Sequence, residues 1–190
     1  MNILYIHGFG SKYDPTHEKV MTLEKLGTVF GVNVDYTLDY HLVYEKIVAA
    51  ITEYKIDLIV GTSMGGYMAA QTGSKIGLPF VAINPAITPV TSLLRWEGNH
   101  TGYNDKPFTL SKPVIETYPD IAKTGCGLVL LDRADEVISA SLTLNVLRDC
   151  FETVIYSGGN HRFTHMTKSL DVIREHYENS KIVYGLDESS

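Results

Sequence analysis

Six short apolar-rich runs punctuate the chain, at residues 3–6, 32–34, 58–60, 80–83, 128–131 and 151–156. Most lack the apolar–polar alternation of a strand that shows one face to water, so they read as strands covered on both faces. Between them lie stretches with helical spacing: Val20, Leu23 and Leu26; Tyr44, Ile47, Val48 and Ile51; a small-residue stretch at 63–74; Leu142, Val146 and Leu147; and residues 167–177. Asp14-Pro15 is a plausible N-cap and first position for the earliest helix. Strands that alternate with helices predict an α/β fold, a three-layer α/β/α sandwich around a mainly parallel sheet of about six strands. The chain opens directly on the first strand, so a pared-down sheet is expected. Its 190 residues suit one domain over 1–190, large enough for a core without metals or disulfides.

Composition narrows the function classes. Sixteen Lys and Arg against 22 Asp and Glu leave a net charge of −6, which argues against a protein built to grip nucleic acid. Two cysteines, Cys126 and Cys150, make neither a disulfide framework nor a zinc site and suit a reducing compartment. No apolar run approaches the ~20 residues of a membrane span, and the first residues lack the features of a signal peptide. A cytoplasmic location is expected.

Gly61-Thr62-Ser63-Met64-Gly65-Gly66 matches G-x-S-x-G. The string alone is weak, but it follows the apolar run 58–60 and opens the small-residue stretch Tyr67-Met68-Ala69-Ala70. That is the strand–turn–helix context of a nucleophile elbow, in which a sharp turn lifts a serine hydroxyl above the sheet edge. A serine needs a base, and the base needs a carboxylate to orient it. After Ser63 the chain supplies both, each just past an apolar strand. Asp135 stands in the turn Ala134-Asp135-Glu136-Val137, and His161 in Gly158-Gly159-Asn160-His161-Arg162-Phe163.

Asp132, closer to its strand, is expected to bond turn amides instead, and Glu136 is the remaining rival carboxylate. His161 and His165 have the two-histidine spacing of a helical zinc site, but Arg162 replaces its glutamate and no third ligand is in view. No metal or organic cofactor is implied. His17, His41, His100 and His176 read as surface or packing residues.

His7-Gly8-Phe9-Gly10 ends the first strand and would lie beside Ser63 if the two strands are neighbours. The backbone N–H groups of Met64 and Phe9 are then the expected oxyanion donors, with Gly10 competing for the second place. Tyr13 occupies the third glycine position of a dinucleotide fingerprint, which argues against that use of the loop. Residues 86–120 break the strand–helix rhythm. They hold Pro89, Pro107, Pro113, Pro119 and the only tryptophan, Trp96, and are a candidate lid.

Taken together, Ile3-Leu4-Tyr5-Ile6-His7-Gly8-Phe9, Gly61 to Gly66, Asn84-Pro85, Ala134 to Val137 and Gly158 to Phe163 resemble the α/β-hydrolase superfamily. More narrowly, they resemble the small bacterial YqiA/YcfP-like esterases. The resemblance spans most of the chain, to about residue 165. It implies Ser63, Asp135 and His161 as a catalytic triad, and cleavage of short acyl esters through an acyl-enzyme. It also implies acyl-CoA or other thioesters as an alternative small-molecule substrate. From another class, a catalytically idle hydrolase fold could serve as a binding module.

Overall fold

The computed structural model describes residues 1–102 and 106–184; residues 103–105 of the 86–120 stretch and residues 185–190 of the expected domain lie outside the described residues. The main sheet contains β1 (Asn2–Ile6), β2 (Thr28–Val32), β3 (Leu58–Thr62), β4 (Phe80–Ile83), β7 (Gly127–Asp132) and β8 (Glu152–Tyr156). Their order is β2-β1-β3-β4-β7-β8, and every neighbouring pair is parallel. The sheet follows the expected plan because its four inner strands, β1, β3, β4 and β7, are buried on both faces. In β1, Leu4 and Ile6 point to one core and Ile3 and Tyr5 to the other.

The first core packs Leu4, Ile59, Ala82 and Val129 against α2 (Tyr40–Tyr54), α3 (Met64–Ile76) and α6 (Ala140–Leu147). The second packs Ile3, Val60, Val81 and Leu130 against α1 (Glu18–Leu23) and α7 (Leu170–Tyr184). No described helix is long and apolar enough to cross a membrane. The stretch 86–120 carries α4 (Pro89–Leu94), a two-stranded antiparallel hairpin of β5 (Gly98–Thr101) and β6 (Pro107–Leu110), and α5 (Lys112–Ile115).

Three local expectations are corrected. Strand β2 occupies Thr28–Val32, not 32–34, because Thr28 to Val32 pair in register with Asn2 to Ile6. Beyond Val32 the backbone leaves the ladder: Asn33 Oδ1 accepts the Tyr13 N–H at 2.7 Å, and the Val34 N–H donates to His7 Nε2 at 3.1 Å. Helix α1 starts at Glu18, where the His17 ring accepts the Lys19 N–H at 3.3 Å. Asp14 instead closes a local turn, its Oδ1 accepting the Thr16 N–H at 2.8 Å and the Thr16 hydroxyl at 2.7 Å. Helix α7 also runs on to Tyr184, beyond the expected end at 177.

The strand order positions the site. The chain runs from β1 outward to β2, then returns to lay β3 on the other side of β1. Open parallel sheets bind ligands at the carboxyl ends of their strands, at such a reversal. Here that places the segment after Ile6 beside the segment after Thr62.

Candidate active site

Ser63 joins β3 to α3 with φ 58° and ψ −121°, a region that costs a residue with a side chain of order 1–3 kcal/mol. The surroundings hold it there. The Ser63 N–H donates to Ile83 O at 2.9 Å, and the Ser63 carbonyl accepts from Tyr67 N–H at 3.0 Å and Ala86 N–H at 3.2 Å. The glycines permit the crossing of strand and helix. A methyl group on Gly61 would strike the Gly65 carbonyl, and one on Gly65 would strike the Ile6 carbonyl. Backbone lies on both sides of each contact, so neither neighbour can yield.

His161 Nε2 lies 3.1 Å from Ser63 Oγ. Its Nδ1 lies 3.0 Å from Asp135 Oδ1 and 2.9 Å from Asp135 Oδ2. A carboxylate accepts only, so Nδ1 carries the hydrogen and Nε2 presents its lone pair to the Ser63 hydroxyl. Asp135 is itself fixed, because Oδ1 accepts the Val137 and Ile138 N–H groups, each at 2.8 Å. Its side chain is 1% exposed against 20% for His161, so the carboxylate is shut away from water while the ring reaches the cavity. Glu136 serves the same loop differently: its Oε2 accepts the His161 backbone N–H at 3.0 Å.

Asp132 holds the histidine loop from below. Its Oδ2 accepts Asn160 N–H at 3.1 Å, Thr164 N–H at 2.8 Å and the Thr164 hydroxyl at 3.3 Å, and its Oδ1 meets His165 Nδ1 at 2.6 Å. A side chain on Gly159 (φ +77°) would collide with this carboxylate. His161 and His165, four residues apart in sequence, therefore turn to different carboxylates. Asn84 completes the frame. Its Oδ1 accepts the Asp132 N–H at 2.9 Å, and its Nδ2 donates to the carbonyls of Asn160 at 3.1 Å and His161 at 3.3 Å. Sequence reasoning noted Asn84 without a role and missed the Asp132–His165 pair. The available signal was a polar residue at the end of an all-apolar strand.

Gly8 sits against the elbow, where an added methyl group would lie 3.3 Å from Ser63 Cβ. Phe9 follows it, and Met64 is the first residue of α3, so both lie next to Ser63 or to its direct neighbour. His7 anchors this loop, a part that sequence reasoning did not assign. Its Nδ1–H donates to Gly8 O at 2.8 Å, its Nε2 accepts from Val34, and its carbonyl accepts the Tyr36 hydroxyl at 2.7 Å. Burial pushes the His7 pKa below the ordinary 6.5, the Lys46 charge acts in the same direction, and the Gly8 carbonyl opposes them.

The unfolded chain therefore binds the His7 proton more readily than the folded one. The neutral ring contributes its full stability above about pH 6.5 and loses it as pH falls below that value. Exposed His17 and buried His176 are displaced the same way. In urea unfolding at pH 7.5 and 5.5, His7→Asn should be less stable than the wild type at pH 7.5 and lose less on acidification. Equal losses would remove His7 from the account.

A cavity of about 530 Å³ opens over Ser63 and His161, with Phe9 in its wall. A second, of about 300 Å³, lies along the other side of Phe9 beneath Pro107 and Phe108 of the hairpin. The Phe9 ring meets Trp96 and Phe108 at centroid distances of 5.8 and 5.7 Å. The end of the 86–120 stretch is tied down by Tyr118, whose hydroxyl donates to Leu38 O at 2.8 Å, and by Pro119, whose carbonyl accepts the Tyr67 hydroxyl at 2.8 Å.

Known proteins share this architecture. Est1E from Butyrivibrio proteoclasticus superposes with a TM-score of 0.73 at 14% identity, over 95% of this chain and 88% of that one. The same protein with ferulic acid bound gives 0.72 at 13% identity, over 95% and 89%. A monoacylglycerol lipase from Paleococcus ferrophilus gives 0.68 at 13% identity, over 94% of each chain. At such identities the likeness establishes the fold, that of the α/β-hydrolases. In sequence, UPF0227 proteins of Yersinia pseudotuberculosis and Yersinia pestis are 28% identical over 181 residues, covering 90% of this chain and 96% of theirs. The family model described as uncharacterised protein family UPF0227 matches residues 2–177. With nearly its whole length matched, the chain belongs to the UPF0227 family, the YqiA/YcfP-like group, and is built on the α/β-hydrolase fold.

Proposed function

We propose that this chain is a serine hydrolase that cleaves small carboxylic esters through an acyl-enzyme. The observation that carries the reading is the continuous contact from Ser63 Oγ to His161 Nε2 and from His161 Nδ1 to the buried Asp135 carboxylate. In this reading Ser63 Oγ attacks the ester carbonyl while His161 Nε2 takes its proton. Asp135 holds the tautomer and stabilises the imidazolium. The tetrahedral oxyanion is met by the N–H groups of Met64 and Phe9, the first of them at the positive end of α3. His161 then returns the proton to the leaving alcohol. Water repeats the sequence on the acyl-enzyme.

The described parts of 86–120 act as the lid and set acyl selectivity, because β5–β6 and Trp96 cover Phe9. Est1E, which shares the fold, has ferulic acid bound in one structure. That supports a small carboxylic ester as the substrate class here.

Labelling with a fluorophosphonate probe tests the proposal. The expected result is one modified residue, Ser63, and loss of labelling in His161→Ala. A wild-type chain that stays unlabelled under conditions that label a control esterase would reject hydrolysis in favour of an idle binding module.

A further inference from the structure

The larger cavity is basic in a protein whose net charge is −6. Beside Ser63 and His161 it is lined by Lys12, His17, Lys19 and Arg162, with Asp14 the one acidic residue of the lining. Asp14 is half-buried and already engaged with Thr16. Lys19 is the unusual member, only 7% exposed. Among the described residues no carboxylate lies within 4.0 Å of its ammonium or of the Arg162 guanidinium.

A largely buried side chain that holds its ammonium at a cavity without a carboxylate partner is costly, and a second cation lining the same cavity adds repulsion. Burial and then the Arg162 charge bring the Lys19 ammonium down to about 8, with Glu18 and Asp132 opposing from a distance. Nothing in the packing of α1 calls for a charge here, since Val20 and Leu23 already fill the core from this helix. Such an arrangement becomes favourable when an anion enters the cavity and pairs with both groups.

We infer that the cavity beside Ser63 binds the anionic group of the substrate, a carboxylate or a phosphate, between Lys19 and Arg162. The substrate class narrows from neutral esters to esters or thioesters that carry a negative charge close to the scissile carbonyl. This rests on the hydrolase reading for its chemistry, but the anion site itself stands on the cavity and its cations.

The test compares three chromogenic esters: neutral 4-nitrophenyl butyrate, mono-4-nitrophenyl succinate with its carboxylate on the acyl side, and 3-carboxy-4-nitrophenyl acetate with it on the leaving group. One of the two charged esters should exceed the neutral one in kcat/KM by about 10-fold or more, the size of one charge-assisted contact. In Lys19→Met and in Arg162→Gln the ratio of charged to neutral should fall toward one. Arg162 is exposed, so its variant guards against misfolding. In parallel, thermal unfolding is followed with succinate or inorganic phosphate at matched ionic strength. A rise in Tm, lost in Lys19→Met, is expected, and the more effective anion identifies carboxylate or phosphate as the group preferred.

Where esters are turned over, the inference falls if neither charged ester is preferred or if the preference survives both substitutions. The hydrolase reading then stands on the neutral ester. Where no ester is turned over, the thermal shift decides. An anion shift lost in Lys19→Met supports the site although hydrolysis has failed, and its absence overturns the inference.

Discussion

Ser63→Ala is expected to lower turnover of p-nitrophenyl acetate by about 10⁶-fold. The magnitude follows from how the three residues are coupled. His161 Nε2 makes its 3.1 Å contact with Ser63 Oγ, and without that oxygen the base has no proton to take and the acyl group has no atom to join. A residual rate would come from binding and from the N–H groups of the proposed oxyanion hole, which the substitution leaves in place. The fold should survive. An alanine inherits the same φ of 58° and the same backbone bonds to Ile83, Tyr67 and Ala86. Matching circular dichroism and urea midpoints would show this. A purified variant that retains a rate within 10-fold of the wild type would remove Ser63 as the nucleophile.

Asp135→Asn is expected to cost about 10⁴-fold in kcat, because the change reverses the hydrogen-bond pattern at His161 rather than its position. The amide oxygen can still accept the Val137 and Ile138 N–H groups, which keeps the turn. The remaining NH₂ then faces His161 Nδ1, which must accept. The ring hydrogen moves to Nε2, and the base can no longer take the serine proton. Asp132→Asn provides the contrast. Asp132 accepts four contacts from Asn160, Thr164 and His165 and touches no reacting atom. Its replacement should lower the urea midpoint more than Asp135→Asn does. If Asp135→Asn instead unfolds the chain while Asp132→Asn removes activity alone, the two carboxylates have been given each other's roles.

The two acidic residues also show what a linear reading can reach. Strand end, turn and chain order singled out Ser63, Asp135 and His161, and the fold brings these three into hydrogen-bond reach of one another. The same reading could not separate Asp135 from Glu136 by more than loop position. The distinction needs the third dimension: Asp135 reaches the ring, while Glu136 reaches only the backbone N–H of the same histidine. His7 and Asn84 were harder still. Each bonds across long sequence separations, His7 to Val34 and Asn84 to Asp132, Asn160 and His161, and no local pattern records such partners. The start of β2 was misplaced for a related reason. Local hydrophobicity favoured residues 32–34, but pairing with β1 decided the register.

The sequence by itself determined the sheet and the elbow. Strands buried on both faces must be apolar throughout, and a strand–helix crossing this tight must be glycine, so both leave a mark in residue type alone. Only the tertiary structure decided which polar groups meet. The strand order that places β1 beside β3 brings Gly8 against Ser63, and the cavity there brings Arg162 together with Lys12 and Lys19 from a segment far away in the chain. Summed over the sequence these cations vanish into a net charge of −6. Coulomb energy depends on the distances between charges and on the water excluded around them, which composition does not contain.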